Sequence, residues 1–345
     1  MLRTHDTGSL SGAATDRKTW KAPFALDAKR TVTSPSAVND SKTLLGFVNP
    51  YWNFLGISQH SLALGRGVSL AHIADVLPDH VRMHIDLSES WLASRAVYAL
   101  VLDWSADRIA ASDDDQFSPG PNNAERRALR MLERTTEAVW ITKRSTFSFD
   151  FIVDFSRDGP PASSISWGRV PSLVSLPSYA NEILGSADLE QASEVNDAIA
   201  QVLPRTALNI ALDALWHALT ETNPFLRYLL LWVALEALFG PESSQELSYR
   251  LALRLTRFGE HQGEKLQSRF SEIRMAYDLR SKIVHGRTKG ALGKDDSDRW
   301  VLFCEGLLQS ALRRILTDPN LRAVFCSAKE REGYLDAIAL GCAFL

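Results

Sequence analysis

The chain has 345 residues, 45% of them hydrophobic and 23% charged, with a formal net charge of −3. A chain of this size and composition is that of a soluble globular protein with a substantial core, in one large or two ordinary domains. Its charge balance favours no particular partner, and its three cysteines, Cys304, Cys326 and Cys342, form neither a disulfide framework nor a zinc pattern.

That cysteine usage suits a reducing cytoplasm. The opening MLRTHDTGSL has no apolar stretch, so no secretion signal is expected. The most apolar run, Phe225 to Phe239, is too short to span a bilayer and carries Arg227 and Glu236. It reads as a core helix, and no membrane partner is expected.

Residues 1–40 are polar and are expected to be flexible. A short helix is expected after Ser69. Leu87 to Ile109 reads as a helix with a broad apolar face built from Trp91, Leu92, Val97, Leu100, Val101 and Trp104, although Tyr98 to Trp104 also admits a strand. Ser112 to Asn123 is a loop, and Asn123 can cap a helix running to about Ile141. From Phe147 to Phe155, aromatic and aliphatic side chains alternate with Ser148, Asp150, Ile152 and Asp154, the pattern of a strand. Ile165 to Val170 can return beside it. Residues 41–185 therefore form an α-rich region with a small β element.

After Gly185 the pattern is helix upon helix. Ser186 opens one helix, and Pro204 interrupts it before Arg205 to Thr222. Asn223-Pro224 starts the next, which stops at Gly240-Pro241. Ser243 and Glu246 form a capping box for a helix ending near Gly259. Glu264 to His285 and Asp296 to Leu316 follow, and Asp318-Pro319 starts a helical tail. Short loops between amphipathic helices predict an antiparallel bundle over 186–345, and a mainly α fold for the chain.

In the helix from Glu264, side chains fall at helical spacing at Leu266, Phe270, Ile273, Tyr277 and Val284, and the count places Arg280 on the same seam. A guanidinium there costs several kcal/mol unless it is paired. Between Tyr228 and Phe239 the only charged residue is Glu236, on a helix that is apolar all round. Glu236 and Arg280 are expected to be buried and to meet. Such a pair either serves a site or only fixes helix register. His285 lies five residues past Arg280, about 140° round an ideal helix. Gly286 can unwind the helix there and let the imidazole swing toward the guanidinium; a lone His at a helix C-terminus otherwise acts as a cap.

The segments ALEALFG (234–240), SSQELSYRLALRL (243–255) and YDLRSKIVHG (277–286) resemble the HEPN superfamily, in particular its Apea-like branch. The superfamily motif is an Arg, four to six residues, and a His; Arg280-SKIV-His285 fits it. The resemblance covers roughly Arg205 to Leu316. It implies a HEPN-like helical bundle, often a homodimer or higher oligomer, with two motifs facing across a cleft. Many such proteins are metal-independent endoribonucleases in toxin–antitoxin, abortive-infection or anti-phage systems. Others are non-catalytic binding or dimerisation modules of a defence sensor or scaffold.

On that resemblance the substrate is RNA, the catalytic pair is Arg280 and His285, and no cofactor or metal is needed because the 2′-OH is the nucleophile. Imidazole can take or give a proton near neutrality. A guanidinium can hold the extra charge on the phosphorane oxygens, leaving a 2′,3′-cyclic phosphate and a 5′-hydroxyl. Glu236 would orient Arg280, Tyr277 would pack or touch phosphate, and Ser281 stands where active members often carry Asn, Asp or His. A protein trigger or antitoxin is a further expected partner.

From Gln245 to Lys294 there are eleven Lys and Arg against five Asp and Glu, a net of +6. Lys282, Arg287, Lys289 and Lys294 are placed where an RNA backbone would run, whereas Arg250, Arg254 and Arg257 read as a solvated helix face. His80 and His84 lack a third ligand and read as surface residues.

Overall fold

A computed structural model describes residues 42–48, 61–85, 97–105, 123–156, 165–174, 183–242, 246–259, 263–286 and 294–342. The polar N-terminus, the loop from Ser112 to Pro121, Ser243, Arg287 and Lys289 lie outside the described residues. The described chain is mainly helical, with one antiparallel sheet.

The sheet is built from β1 (Lys42–Val48), β2 (Ser61–Ala63), β3 (Val68–His72), β4 (Tyr98–Trp104), β5 (Phe149–Ser156) and β6 (Ser166–Arg169), in the order β2-β3-β4-β1-β5-β6. The expected hairpin of β5 and β6 is present, with Val153 opposite Trp167, but as one edge of a larger sheet. The helix expected over 87–109 is overturned where it is described: Tyr98–Trp104 is a strand between β3 and β1. A strand flanked on both sides and covered on both faces is apolar on both faces, so its sequence lacks the alternation that marks a half-buried strand. The short helix after Ser69 forms at Ile73–Val76 (α1), followed by Asp79–His84 (α2).

The apolar alternation of β5 also divides. Phe47 pairs with Phe151 but Val48 with Phe149, a register shift that skips Asp150. Such a bulge sends the two Phe side chains to opposite faces. Phe151, Val153 and Phe155 join Leu45, Phe47 and Val101 under α1 and α2. Phe149 joins Leu44, Leu100 and Leu102 on the other face.

That second face is covered by α3 (Asn123–Thr142), which ties the sheet to the bundle. Its Ala128, Leu132 and Val139 pack on the sheet, while Ala138, Trp140 and Ile141 pack in the bundle core. Gly46 admits the close approach: a Cβ there would lie 3.0 Å from Phe149 Cγ and 3.2 Å from Leu132 Cδ1.

The bundle comprises α4 (Ser186–Ile199), α5 (Ala207–Thr220), α6 (Pro224–Phe239), α7 (Leu247–Phe258), α8 (Glu264–Val284), α9 (Lys294–Thr317), α10 (Pro319–Phe325) and α11 (Ala328–Ala339). Asn223 caps α6 through its side-chain oxygen, accepting from the Phe225 and Leu226 amides at 2.9 and 3.3 Å, with Pro224 at the first position. α7 starts at Leu247, and Glu246, with a positive φ of 53°, stands at its cap without a side-chain capping bond. Glu246 therefore flanks the helix instead of serving as the third residue of a capping box. No helix among the described residues is long and apolar enough to cross a membrane.

Candidate functional site

The site is assembled where α8 lies against α6. Trp232 of α6 and Tyr277 of α8 meet edge to face, with centroids 5.1 Å apart. The Tyr228 hydroxyl donates to the Ala276 carbonyl at 2.5 Å, fixing the two helices one turn earlier. One turn after Trp232, Glu236 reaches Arg280: the Arg280 Nη2 lies 3.1 Å from Glu236 Oε1 and donates to Oε2 at 3.3 Å. The Arg280 guanidinium also lies over the Tyr277 ring, 5.6 Å from its centroid. The structure thus brings together three residues expected to share a site: Glu236, Tyr277 and Arg280.

The pair is less buried than expected. The side chains of Arg280 and Glu236 are 28% and 24% exposed, so the guanidinium keeps a face open to solvent. Burial still pushes the Glu236 carboxyl above its ordinary value, opposed by the Arg280 charge and by the Tyr277 hydroxyl. The same surroundings raise the Tyr277 phenol, first by burial and then by the nearby Glu236 charge.

The seam of α8 runs through Ile273, Ala276 and Tyr277 to Arg280, with Leu279 and Ile283 packed at its edge. Val284, expected on it, is 52% exposed. α8 ends at Val284, four residues past Arg280, and α6 ends at Phe239, three residues past Glu236. Gly240 enforces that ending: a Cβ there would lie 2.5 Å from the Glu236 carbonyl oxygen.

His285 is exposed at the C-cap of α8, and its amide donates to the Ser281 carbonyl at 3.1 Å. Gly286 follows with a φ of +63°, the left-handed turn expected to end the helix. Among the described residues, no hydrogen bond or ion pair joins the His285 imidazole to Arg280 or to any other side chain. Ser281 is half-buried beside the motif Arg and Lys282 is exposed on the solvent face. Lys294 begins α9, but its side chain is outside the described residues.

The arginines of α7 depart from expectation. Arg254 is buried, donating to Glu332 at 2.7 Å and to Asp336 at 2.5 Å, with a further bond to the Phe239 carbonyl. Arg250 reaches the same Asp336 at 3.2 Å. These cations clamp the tail helix α11 to α7, and Arg250 and Arg257 are half-buried. Part of the +6 of this segment is therefore neutralised inside the fold.

A second charged pair went unremarked in the sequence. Arg227 of α6 is 2% exposed and Glu305 of α9 is 0% exposed; Nε and Nη2 of Arg227 donate to Glu305 Oε1 at 2.9 and 2.6 Å. The third donor, Nη1, meets the Val174 carbonyl at 2.9 Å. Burial pushes the Glu305 carboxyl up to about 8, and the charge of Arg144 opposes that shift. The signal was the one that revealed Glu236: a lone charge in an apolar stretch, here FCEGLL at 303–308.

No group of three or more metal-ligating side chains occurs among the described residues. No family model matches this chain, and neither do any curated protein or solved structure.

Proposed function

We propose that this protein is a metal-independent endoribonuclease of the HEPN type, acting as a toxin or effector in bacterial anti-phage or abortive-infection defence. The observation that carries the reading is the Arg280–Glu236 pair at a helix end. A structural guanidinium would be expected to disappear into the core, as Arg227 does. Arg280 instead is held by one carboxylate, packed against one ring, and left partly open near the end of a helix whose last turn carries exposed Lys282 and whose C-cap is exposed His285. A guanidinium fixed in this way can hold an anionic phosphorane with its outward donors.

In this reading His285 takes the 2′-OH proton or gives one to the leaving 5′-oxygen, Arg280 holds the phosphoryl oxygens, and Glu236 with Tyr277 keeps Arg280 in place. A homodimer would supply one imidazole as base and another as acid. α6 leaves Leu226 and Val233 exposed, 49% and 43%, on the helix that bears Glu236, and these offer an apolar contact for a second copy.

A non-catalytic binding module is the second reading. It is favoured by the lack of any described contact between Arg280 and His285 and by the carboxylate already resting on Arg280. An RNA cleavage assay with wild type, Arg280→Ala and His285→Ala decides between them. Loss of cleavage in both variants, with fold and oligomeric state unchanged and EDTA without effect, supports the enzyme. Equal behaviour of all three proteins, or strict metal dependence, overturns it.

A further inference from the structure

Away from the Arg280 site, a cleft of about 450 Å³ opens between the end of α3 and the outer face of α9. Three arginines line it. Arg313 and Arg314 come from α9, and Arg144 comes from the chain just past α3, so the charges converge from two elements. Gln309, Ser310 and Thr317 complete a polar wall, and no carboxylate is among the described residues lining the cleft.

The arginines are held in different ways. Arg314 donates one Nη1 bond to the Phe258 carbonyl at 2.7 Å and lies with its guanidinium over the Phe258 ring at 4.8 Å, which fixes the charged head at the cleft wall. Arg144 lies over α9 at its only glycine: a Cβ at Gly306 would stand 3.7 Å from Arg144 Nη1. It also feels the charge of buried Glu305 from beneath. Arg313 is exposed at the cleft rim. Gln309 is held by a bond from its amide nitrogen to the Trp140 carbonyl at 3.0 Å. Two cations near the end of α9 would complement the helix dipole by themselves. That effect needs neither Arg144 from another segment nor a cleft with polar walls.

We propose that this cleft binds a small polyphosphate group. Guanidinium forks match phosphate oxygens in pairs, and three of them suit an anion carrying more than one phosphate. The volume exceeds the needs of a single phosphate. Among the described residues lining the cleft there is no aromatic ring on which a base could stack, so recognition rests on the phosphates. The group can belong to free polyphosphate or to a nucleoside triphosphate. The site stands apart from the Arg280–Glu236 pair, and its test does not depend on ribonuclease activity.

The test is calorimetric titration of the full chain with inorganic tripolyphosphate, ATP and adenosine. Saturable binding of tripolyphosphate, no binding of adenosine, and weakening by about tenfold or more in Arg313→Gln and in Arg144→Gln are expected, since a charge-assisted bond lost on phosphate has that effect. Equal affinity for ATP and tripolyphosphate identifies the free chain as a sufficient ligand; tighter ATP identifies the nucleotide. Lys329→Gln, on α11, serves as the charge control and should bind as wild type. Thermal unfolding of each variant without ligand shows whether the fold is intact. Failure of both polyphosphates to bind wild type overturns the proposal. So does full affinity in folded Arg313→Gln, or equal weakening in the Lys329→Gln control.

Discussion

Arg227 and Glu305 meet at 2.6 Å where solvent does not reach, joining α6 to α9 across 78 residues of sequence. Their contact differs in kind from that of Arg280 and Glu236, which are 3.1 Å apart and partly open. The first pair is placed to fix how two core helices sit. The second leaves part of its guanidinium open to solvent.

Replacing Arg227 with Met should therefore be costly. The Glu305 carboxylate and the Val174 carbonyl would lose their donors in a dry site, a loss of about 3–5 kcal/mol. Changing both partners, Arg227→Met with Glu305→Leu, should recover most of that, because no charge is then stranded. Urea denaturation of the three proteins measures the difference; a double variant as unstable as the single one would contradict it.

Arg280→Ala should behave in the opposite way. A partly exposed pair contributes about 1 kcal/mol or less to stability, so the thermal midpoint should hardly move. RNA cleavage should fall by about 10²–10³, the usual result of removing a donor from developing negative charge. Thermal unfolding and a cleavage time course on the same preparation test both halves. A large drop in stability with cleavage intact would make Arg280 a structural residue.

Asp154 makes stability depend on pH. Burial pushes its carboxyl up to about 6 from an ordinary value of 3.8, against the Lys42 ammonium at 3.2 Å and the Trp104 indole N–H donating at 3.1 Å. A carboxyl with a raised folded value holds its proton more tightly in the native state than in the unfolded chain. Its contribution is whole below the unfolded value and is lost as pH rises through the folded one. Stability from this group should fall by roughly 2–3 kcal/mol between pH 4 and pH 7. Denaturation at the two pH values, with wild type and Asp154→Asn, isolates it: the variant should show a smaller fall.

Gly46→Val should loosen the seat of α3 on the sheet. Its side chain would enter space that Phe149 and Leu132 already border at 3.0 and 3.2 Å. Overpacking of this kind costs about 1–3 kcal/mol. An unchanged denaturation midpoint would mean that α3 can move away without cost.

The limits of the bundle helices could be read from local chemistry. Asn223-Pro224 and Gly240 bound α6, and Gly286 closes α8, because capping bonds and a left-handed turn depend on a few adjacent residues. Val284 could not be read from spacing alone, because the exposure of a side chain at a helix end depends on what packs beside it. β4 admits both a helix and a strand reading, because burial on both faces erases its periodicity.

By itself, the sequence determined a mainly helical chain, the limits of α6 and α8, and two lone charges, Glu236 and Arg280, that had to be answered. These follow from spacing and from the cost of stranding a charge among apolar side chains. Only the tertiary structure decided that six described strands form one sheet, that Arg227 finds Glu305, that Arg254 faces inward, and that Arg280 keeps one face to solvent. Each of these depends on segments distant in the chain, and a side chain's surroundings are set by which segments pack beside it.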